Sequence, residues 1–310
     1  MLPAIVILFI FSCVALLYVR FITQQMSNEL SVMSDTPIDH SSFITHKKFF
    51  VLTSILILAS SFVINQKDKP TLYIIGDSTV RNTNRPQCGW GEMIADFFDT
   101  TKISISNQAM AGRSTRTFIK EKRWDKVLST LKPGDFVIMQ FGHNEGSKPD
   151  TSRAGYRGVL RGTGDETVDL LWKDSTIETV HTYGWYLKKF VNDAKAKGAT
   201  PVICSMIPRN QWDYSVKGDT TSKQLVRRAD KDFGKWARGV AESEGVFFID
   251  LNTITADKYE AIGIGEVQKL FQGDHTHTNE DGAKINAASV VEGIKKLKQL
   301  ELNKYLIQKN

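Results

Sequence analysis

The sequence predicts an α/β protein whose core is a five-stranded parallel sheet of flavodoxin-like topology, covered by helices on both faces to give three α/β/α layers. Two observations predict this fold class. Short apolar runs alternate along the chain with longer segments of helical periodicity. Polar clusters containing glycine also follow three of those runs. In a doubly wound sheet, ligands bind beyond the carboxyl ends of the strands, which is where such clusters would meet.

Five apolar runs are short enough to be strands, and longer periodic segments lie between them. The predicted strands are Leu72–Ile75, Ile103–Ser106, Phe136–Gln140, Pro201–Met206 and Val246–Asp250. The predicted helices are Gly91–Phe98, Thr115–Leu131, Thr179–Lys197, Ser222–Glu244 and Asn279–Lys298. Because Asp150–Glu178 has no clean period, we expect it to be a long loop over one edge of the crevice.

Residues 1–66 differ in composition from the rest of the chain, because they contain none of its 22 glycines. Two uncharged runs of 18 residues, Leu2–Val19 and Phe49–Gln66, flank a polar spacer. Each run is near the lower limit of length for a helix that crosses a bilayer. We therefore divide the chain into a membrane-targeting region, residues 1–66, and one domain, residues 67–310, which is long enough to bury a sizeable core.

Residues 1–66 have two main interpretations. Lys47–Lys48 before the second apolar run and Ala59–Ser61 within it are typical of a secretory signal peptide, with synthesis starting at Met26 or Met33. Alternatively, both runs form a transmembrane hairpin whose spacer stays in the cytoplasm. A buried helix of a cytosolic protein is disfavoured because neither run has an amphipathic stripe. We expect a secreted, periplasmic or cell-surface protein that contacts the membrane only through this region.

The net charge of +6 belongs to residues 67–310, because residues 1–66 contain three basic and three acidic residues. A basic domain favours an acidic partner. We expect no nucleic-acid partner, since the sequence has no RNP, zinc-finger or basic-zipper pattern. Cys88 and Cys204 have the spacing of neither a metal site nor a disulfide framework.

Four polar clusters follow strands or precede the last helix, so the predicted topology brings them to one rim. They are Gly76-Asp77-Ser78-Thr79, Gly112-Arg113-Ser114, Gly142-His143-Asn144 and Asp274-His275-Thr276-His277. A serine at a strand-to-helix turn can act as a nucleophile when a histidine removes its proton. Ser78 is the candidate nucleophile and His277 the candidate base. Asp274 would orient the imidazole and stabilise its charged form.

A developing oxyanion needs hydrogen-bond donors near the serine. The candidates are the backbone N–H of Ser78, the side-chain amide of Asn144 and the backbone N–H of Gly112, where the missing side chain permits a close approach. Each cluster alone has a structural explanation, as a turn or a helix cap. Their combination, with serine first and Asp-x-x-His last, predicts a serine hydrolase.

These clusters match the four sequence blocks of the SGNH (GDSL-type) hydrolases. The stretch from Asn107 to Arg116, with Gly142-His143-Asn144 and Asp274-x-x-His277, resembles the rhamnogalacturonan acetylesterases more closely. The resemblance runs from about Leu72 to the C-terminal helix. It implies an SGNH hydrolase fold, hydrolysis of acetyl esters on a pectic backbone through an acetyl-enzyme, no cofactor, and the roles given above for Ser78, Asp274, His277, Gly112 and Asn144. Glu145 departs from the family, which usually has Asp after the Asn.

An acetylated acidic polysaccharide, or its oligosaccharides, is the expected substrate. We predict that Arg113 and Arg116 contact its carboxylates and that Trp212 stacks on a sugar ring. The alternatives are a xylan-directed or lipase-like esterase with the same triad, and a catalytically inactive carbohydrate-binding protein. Zinc binding by the histidines is disfavoured and no metal is expected, because a metal site would leave the Ser78 cluster unexplained.

Overall fold

The computed structural model describes residues 69–308 together with Gln24. Residues 69–310 form one compact unit. Apart from Gln24, the predicted membrane-targeting region lies outside the described residues, so both interpretations of it stay predictions. Within the part of the chain that is described, no helix has the length and apolar character needed to cross a membrane.

The central sheet has the predicted flavodoxin-like topology. The strands of the described residues are β1 (Thr71–Gly76), β2 (Ser104–Asn107), β3 (Phe136–Gln140), β4 (Thr167–Leu171), β5 (Ile177–His181), β6 (Thr200–Cys204), β7 (Trp212–Tyr214), β8 (Gln224–Val226) and β9 (Phe247–Ile249). Five of them form an all-parallel sheet in the order β2-β1-β3-β6-β9. Two antiparallel hairpins, β4-β5 and β7-β8, lie outside it.

Helices cover both faces of this sheet. They are α1 (Trp90–Met93), α2 (Thr115–Lys120), α3 (Arg123–Leu128), α4 (Tyr183–Ala196), α5 (Phe233–Ser243), α6 (Leu251–Ile262), α7 (Ile264–Lys269) and α8 (Glu280–Lys296), with 3-10 turns at Ile94–Phe97, Gly155–Arg157 and Glu301–Tyr305. Alternate residues of β1 point to opposite faces. Leu72 and Ile74 join the core beneath α1, α6 and α8. Tyr73 and Ile75 join the core beneath α2 to α5. The predicted α/β/α layers are confirmed.

Two of the predicted helices begin too early. Residues 177–181 form β5, and the helix after it starts at Tyr183, where the Thr182 hydroxyl accepts a hydrogen bond from the Trp185 N–H. Similarly, β8 occupies the start of the predicted helix 222–244, and α5 begins only at Phe233. The predicted loop 150–178 is partly wrong, since it contains β4 and the start of β5.

Two further differences concern a helix that is broken and a helix that was not predicted. The predicted helix 115–131 is broken into α2 and α3 at Lys122, whose φ of 54° is left-handed. The sequence analysis also missed α6, although Asp250 caps it by accepting a hydrogen bond from the Thr253 N–H. An Asp just before an apolar residue is a recognisable helix start, but the sequence analysis assigned Asp250 to the preceding strand.

Candidate active site

Ser78 lies in a tight turn that follows β1. Gly76 is required there, because a Cβ on it would lie 2.5 Å from the Gln140 carbonyl oxygen at the end of β3. The turn closes when the N–H groups of Val80 and Arg81 donate to the Asp77 carbonyl oxygen. The expected strand-to-helix turn is wrong, since α1 begins only at Trp90. Any backbone donors near Ser78 therefore belong to a turn.

A chain of buried hydrogen bonds supports this turn from below. Trp90 Nε1 donates to Gln140 Oε1 (2.9 Å), and Gln140 Nε2 donates to Thr79 Oγ1 (2.7 Å). The Thr79 hydroxyl and N–H both donate to Asp77 Oδ1. Burial raises the pKa of Asp77 to about 6, against the opposing effect of these Thr79 bonds. Ser78 stands between two anchored residues and is itself only 7% exposed.

The structure brings Ser78, His277 and Asp274 into direct contact. Ser78 Oγ lies 2.8 Å from His277 Nε2, and His277 Nδ1 lies 2.6 Å from Asp274 Oδ2. Asp274 Oδ1 accepts hydrogen bonds from the N–H groups of Thr276 (2.7 Å) and His277 (2.8 Å). Burial alone would raise the pKa of Asp274, but the hydrogen bonds from His277 and Thr276 lower it. The carboxylate is thus held in its charged form beside the imidazole.

Hydrogen bonds at its ends fix the loop that carries His277. Gln272 N–H donates to the His277 carbonyl oxygen (3.1 Å). Thr278 exchanges two bonds with Cys88, from the Cys88 N–H (2.8 Å) and to the Cys88 carbonyl oxygen (3.1 Å). These contacts tie the loop to the segment that leads into α1. The position of the His277 imidazole therefore depends on contacts between segments that are 190 positions apart in the sequence.

The three predicted oxyanion donors lie on segments that are bonded to one another. Met110 N–H donates to the Gly76 carbonyl oxygen (3.0 Å), which joins the Ser78 turn to the loop of Gly112. Asn144 Nδ2 donates to the Arg113 carbonyl oxygen (3.0 Å), which joins Asn144 to the same loop. Within residues 69–308, the N–H groups of Ser78 and Gly112 have no acceptor, and one hydrogen of the Asn144 amide is free. Three N–H donors are therefore available to a ligand.

Glu145 and Arg157 hold Asn144 in place, and the sequence analysis missed both contributions. Arg157 Nη1 donates to Asn144 Oδ1 (2.9 Å), which fixes the orientation of the amide. The Glu145 carboxyl accepts the Asn144 N–H at Oε2 (2.9 Å) and the Thr115 N–H at Oε1 (2.8 Å). Glu145 thus connects the segment of Asn144 to the segment of Gly112. Burial raises its pKa to about 8, and the nearby charge of Asp77 adds to this shift.

Arg116, a predicted substrate contact, is buried and bonded within the protein, and its contact with substrate stays a prediction. Its side chain is 1% exposed and forms a two-pronged ion pair with Glu178 of β5, at 2.8 Å for each contact. Its remaining nitrogen donates to the carbonyl oxygens of Gly155 and Gly158. Burial would raise the pKa of Glu178, but the bonds from Arg116 and Lys120 lower it to about 2. Arg116 fastens the segment 155–178 to α2.

The other two predicted substrate contacts stay predictions. Arg113 is half-buried, pairs with Glu121 (2.9 Å) and donates to the Ala111 carbonyl oxygen (2.9 Å). It shares the Glu121 carboxylate with Arg123 (2.8 Å). Trp212 lies half-buried in β7 and donates to Asn210 Oδ1 (2.8 Å). Asn210 N–H in turn donates to the His275 carbonyl oxygen (2.8 Å), which places Trp212 near the triad loop.

The remaining histidines of these clusters have different surroundings. His275 is exposed and pairs with the Thr276 hydroxyl (2.9 Å). Burial, assisted by the charge of Arg209, lowers the pKa of His143 to about 3. Among the described residues, no three His, Cys, Asp or Glu side chains are arranged to hold a metal ion.

The fold and this arrangement agree with the comparison to known proteins. Residues 74–285 match the sequence profile of the GDSL-like lipase/acylhydrolase family. The chain belongs to this family, the SGNH hydrolases, as its motifs predict. It is a carboxylic ester hydrolase.

Individual relatives of the chain have more specific names than the family. The chain is 32% identical over 247 residues to the rhamnogalacturonan acetylesterase of Emericella nidulans, covering 80% of this chain and 91% of that protein. It is 28% identical over 255 residues to the rhamnogalacturonan acetylesterase RhgT of Bacillus subtilis, covering 77% and 94%. The crystal structure of the YxiM protein of Bacillus subtilis matches with a TM-score of 0.58 at 23% identity, over 75% of this chain and 58% of that one. The predicted similarity to rhamnogalacturonan acetylesterases is confirmed.

Proposed function

We propose that this chain removes O-acetyl groups from an acidic pectic polysaccharide, rhamnogalacturonan, by a serine-dependent mechanism. One observation carries the proposal: Ser78 Oγ, His277 Nε2, His277 Nδ1 and Asp274 Oδ2 form a continuous hydrogen-bonded chain with distances of 2.8 and 2.6 Å. A serine–histidine–carboxylate chain of this kind activates the hydroxyl for attack on a carbonyl.

The first half-reaction transfers the acetyl group to Ser78. His277 Nε2 takes the hydroxyl proton while Oγ attacks the acetyl carbonyl carbon. The resulting oxyanion accepts hydrogen bonds from the N–H groups of Ser78 and Gly112 and from the Asn144 amide. His277 then gives its proton to the sugar oxygen, the ester C–O bond breaks, and the sugar leaves as an alcohol.

The second half-reaction restores the enzyme. His277 removes a proton from water, and the resulting hydroxide attacks the acetyl carbon of the acetyl-enzyme. The same three donors stabilise the second oxyanion. The proton on His277 returns to Ser78 Oγ as acetic acid leaves, and the acid then ionises to acetate in water. Asp274 stays ionised throughout and stabilises the imidazolium that forms in each half-reaction.

The choice of substrate rests on the relatives and on charge. Two relatives that cover most of the chain are named as rhamnogalacturonan acetylesterases. Galacturonate units of that polymer are acidic, and residues 67–310 carry the whole net charge of +6. A cleft beside His143, the residue that precedes the oxyanion donor Asn144, is lined by several arginines. Such a lining disfavours a long acyl chain, because apolar substrate would displace the water around charged groups.

Acetate release by the full chain tests this proposal. Acetylated rhamnogalacturonan and acetylated xylan are compared at equal acetyl content, and we expect faster release from rhamnogalacturonan. Ser78→Ala is expected to lower kcat by about 10⁴-fold or more, because it removes the nucleophile. Ser129→Ala, which removes an exposed hydroxyl bonded only to the Lys126 carbonyl oxygen, serves as the matched control. Preference for xylan, or an active Ser78→Ala enzyme, would contradict the proposal.

We further propose that the chain is exported, which rests on the two apolar runs of residues 1–66. Mass spectrometry of the cell-derived protein distinguishes the two routes. A mature N-terminus between Ser61 and Lys67 supports a cleaved signal peptide. An intact Met1 supports the membrane hairpin.

A further inference from the structure

A cleft of about 320 Å³ opens beside His143, the residue that directly precedes the oxyanion donor Asn144. It lies between the Gly142–His143 segment and the Pro208–Gln211 segment, with Phe233 at the start of α5 closing one side. Its charged lining comprises Arg161, Arg209, Arg227, Arg228 and Asp232. Four guanidinium groups and one carboxylate therefore line the cleft.

Three of the four arginines have carboxylate partners in the protein. The ion pairs are Arg161 with Asp232 (3.4 Å), Arg227 with Asp213 (2.7 Å), and Arg228 with Asp257 and Glu260 (2.7 Å each). A paired guanidinium attracts an anion less strongly, because the neighbouring carboxylate balances its charge. These three arginines therefore shape the cleft more than they attract an anion.

Arg209 is different. Within residues 69–308 it has no ion pair. Its Nη2 donates to the His143 carbonyl oxygen (3.3 Å), while its Nε is buried without a hydrogen-bond partner. The neighbouring His143 imidazole cannot balance the charge, because an imidazole is either neutral or positive. Burial and the Arg209 charge lower its pKa to about 3, so it is neutral near pH 7. A half-buried guanidinium with unused donors is an unfavourable arrangement until an anion completes it.

Arg209 also lies at the right place to meet a substrate. Its guanidinium is bonded to His143, which directly precedes the oxyanion donor Asn144. The next residue, Asn210, donates to the His275 carbonyl oxygen in the loop of the triad histidine. An anion at Arg209 therefore sits between the two loops that flank the reacting ester.

We infer that Arg209 binds a carboxylate of the polysaccharide backbone, on a uronate sugar close to the acetylated position. The inference rests on the proposed function and deepens it, because it assigns the choice of acidic over neutral polymers to one residue. A guanidinium matches a carboxylate with two parallel N–H···O bonds, and a lysine in its place supplies charge without that geometry. Xylan without uronate branches, or pectin with methyl-esterified uronates, offers this position no anion.

Two substrates that differ only in charge test the inference. The ratio of kcat/KM for acetylated rhamnogalacturonan oligosaccharides to kcat/KM for the same oligosaccharides with methyl-esterified carboxyls is measured. We expect wild type to favour the free carboxylates, and Arg209→Gln to lower that ratio by about 10- to 100-fold, mainly through KM, as for loss of a charged hydrogen bond. Arg209→Lys should fall between the two. Arg227→Gln, which removes a paired charge from the same cleft, should leave the ratio within about two-fold.

A binding measurement separates this inference from the proposed function. Titration calorimetry of unacetylated rhamnogalacturonan oligosaccharides into the full chain needs no turnover. Weaker binding by Arg209→Gln than by Arg227→Gln supports the carboxylate site even if another ester proves to be the best substrate. Equal binding by the two variants, or an unchanged selectivity ratio in Arg209→Gln, overturns it.

Discussion

The two sides of the site around Ser78 are built in opposite ways. On one side, the oxyanion side, buried groups are bonded within the protein: Glu145 joins the segments of Gly112 and Asn144, and the paired Arg116 fastens the neighbouring segment 155–178. On the other, the cleft side, Asp274 is partly exposed and Arg209 has no ion pair within the described residues. Arginines that look alike in sequence thus act as a fastener on one side and as an open ligand position on the other.

The difference shows that an arginine is recognised as a substrate contact by the lack of a carboxylate partner, and its positive charge alone is not enough. A buried arginine with a carboxylate and two carbonyl partners has nothing to offer a ligand, whereas an arginine with spare donors loses solvation without recovering it. The oxyanion side is organised before substrate arrives, which is what stabilisation of a transient oxyanion requires. On the cleft side, the charge of Arg209 is balanced only when the polymer binds. Variants on each side should therefore fail in different ways.

The largest effect is expected on the cleft side, from Asp274→Asn. The amide cannot hold the imidazole by the same charge-assisted bond, so we expect kcat to fall by about 10⁴-fold while the fold persists. Initial rates of acetate release and the thermal unfolding midpoint measure the two properties. Asp219→Asn is the matched control, because Asp219 accepts the same local bond, from the Thr221 N–H (2.9 Å), in an exposed loop. Near-normal turnover would show that His277 is oriented by another group.

Arg116→Met should have the next largest effect, which is a loss of stability. It leaves Glu178 without its main partner and the carbonyl oxygens of Gly155 and Gly158 without a donor, so we expect a loss of about 3–5 kcal/mol in the free energy of unfolding. Urea denaturation measures this loss. The control, Arg227→Met, breaks the exposed pair with Asp213 and should cost under about 1 kcal/mol. Equal losses in the two variants would contradict the contrast between the two sides.

The parallel sheet could be predicted because its strands are locally encoded. Leu72–Ile75 and Phe136–Gln140 are apolar throughout or nearly so, as expected for strands covered on both faces. The hairpins could not be predicted in the same way. In β5, Glu178 and Val180 face inward while Ile177 and Thr179 face solvent, and this short alternation merges with the helix that begins at Tyr183.

The site residues were predictable only where they form sequence motifs. Ser78, His277 and Asp274 stand in recognisable blocks, and the structure brings them within hydrogen-bond distance. Whether an arginine is paired or free can depend on contacts that are distant in the sequence. Arg116, for example, forms an ion pair with Glu178, 62 positions away. Glu145 stands where the family usually has Asp, and only its hydrogen bonds in the structure show that it joins two loops.

Glu145→Gln is the mildest of these changes and probes the oxyanion side directly. A glutamine amide has one acceptor atom, so either the Thr115 N–H or the Asn144 N–H loses its partner. We expect kcat to fall by about 10-fold with little change in KM, less than the 10²- to 10³-fold typical of removing an oxyanion donor outright. Glu242→Gln, on an exposed position of α5, is the control. A change confined to KM would argue that Glu145 does not position Asn144.

The same variant has a signature in the pH dependence of stability. With its pKa raised to about 8, Glu145 keeps its proton in the folded state, while the unfolded chain releases it near its ordinary pKa of 4.5. Between these values the folded state binds one proton more, so the free energy of unfolding falls as pH rises, by about 1.4 kcal/mol per unit. Asp77, with a pKa of about 6, contributes mostly below that pH. Urea midpoints at pH 6.5 and 7.5 should therefore fall less in Glu145→Gln than in wild type, and parallel declines would place the buried proton elsewhere.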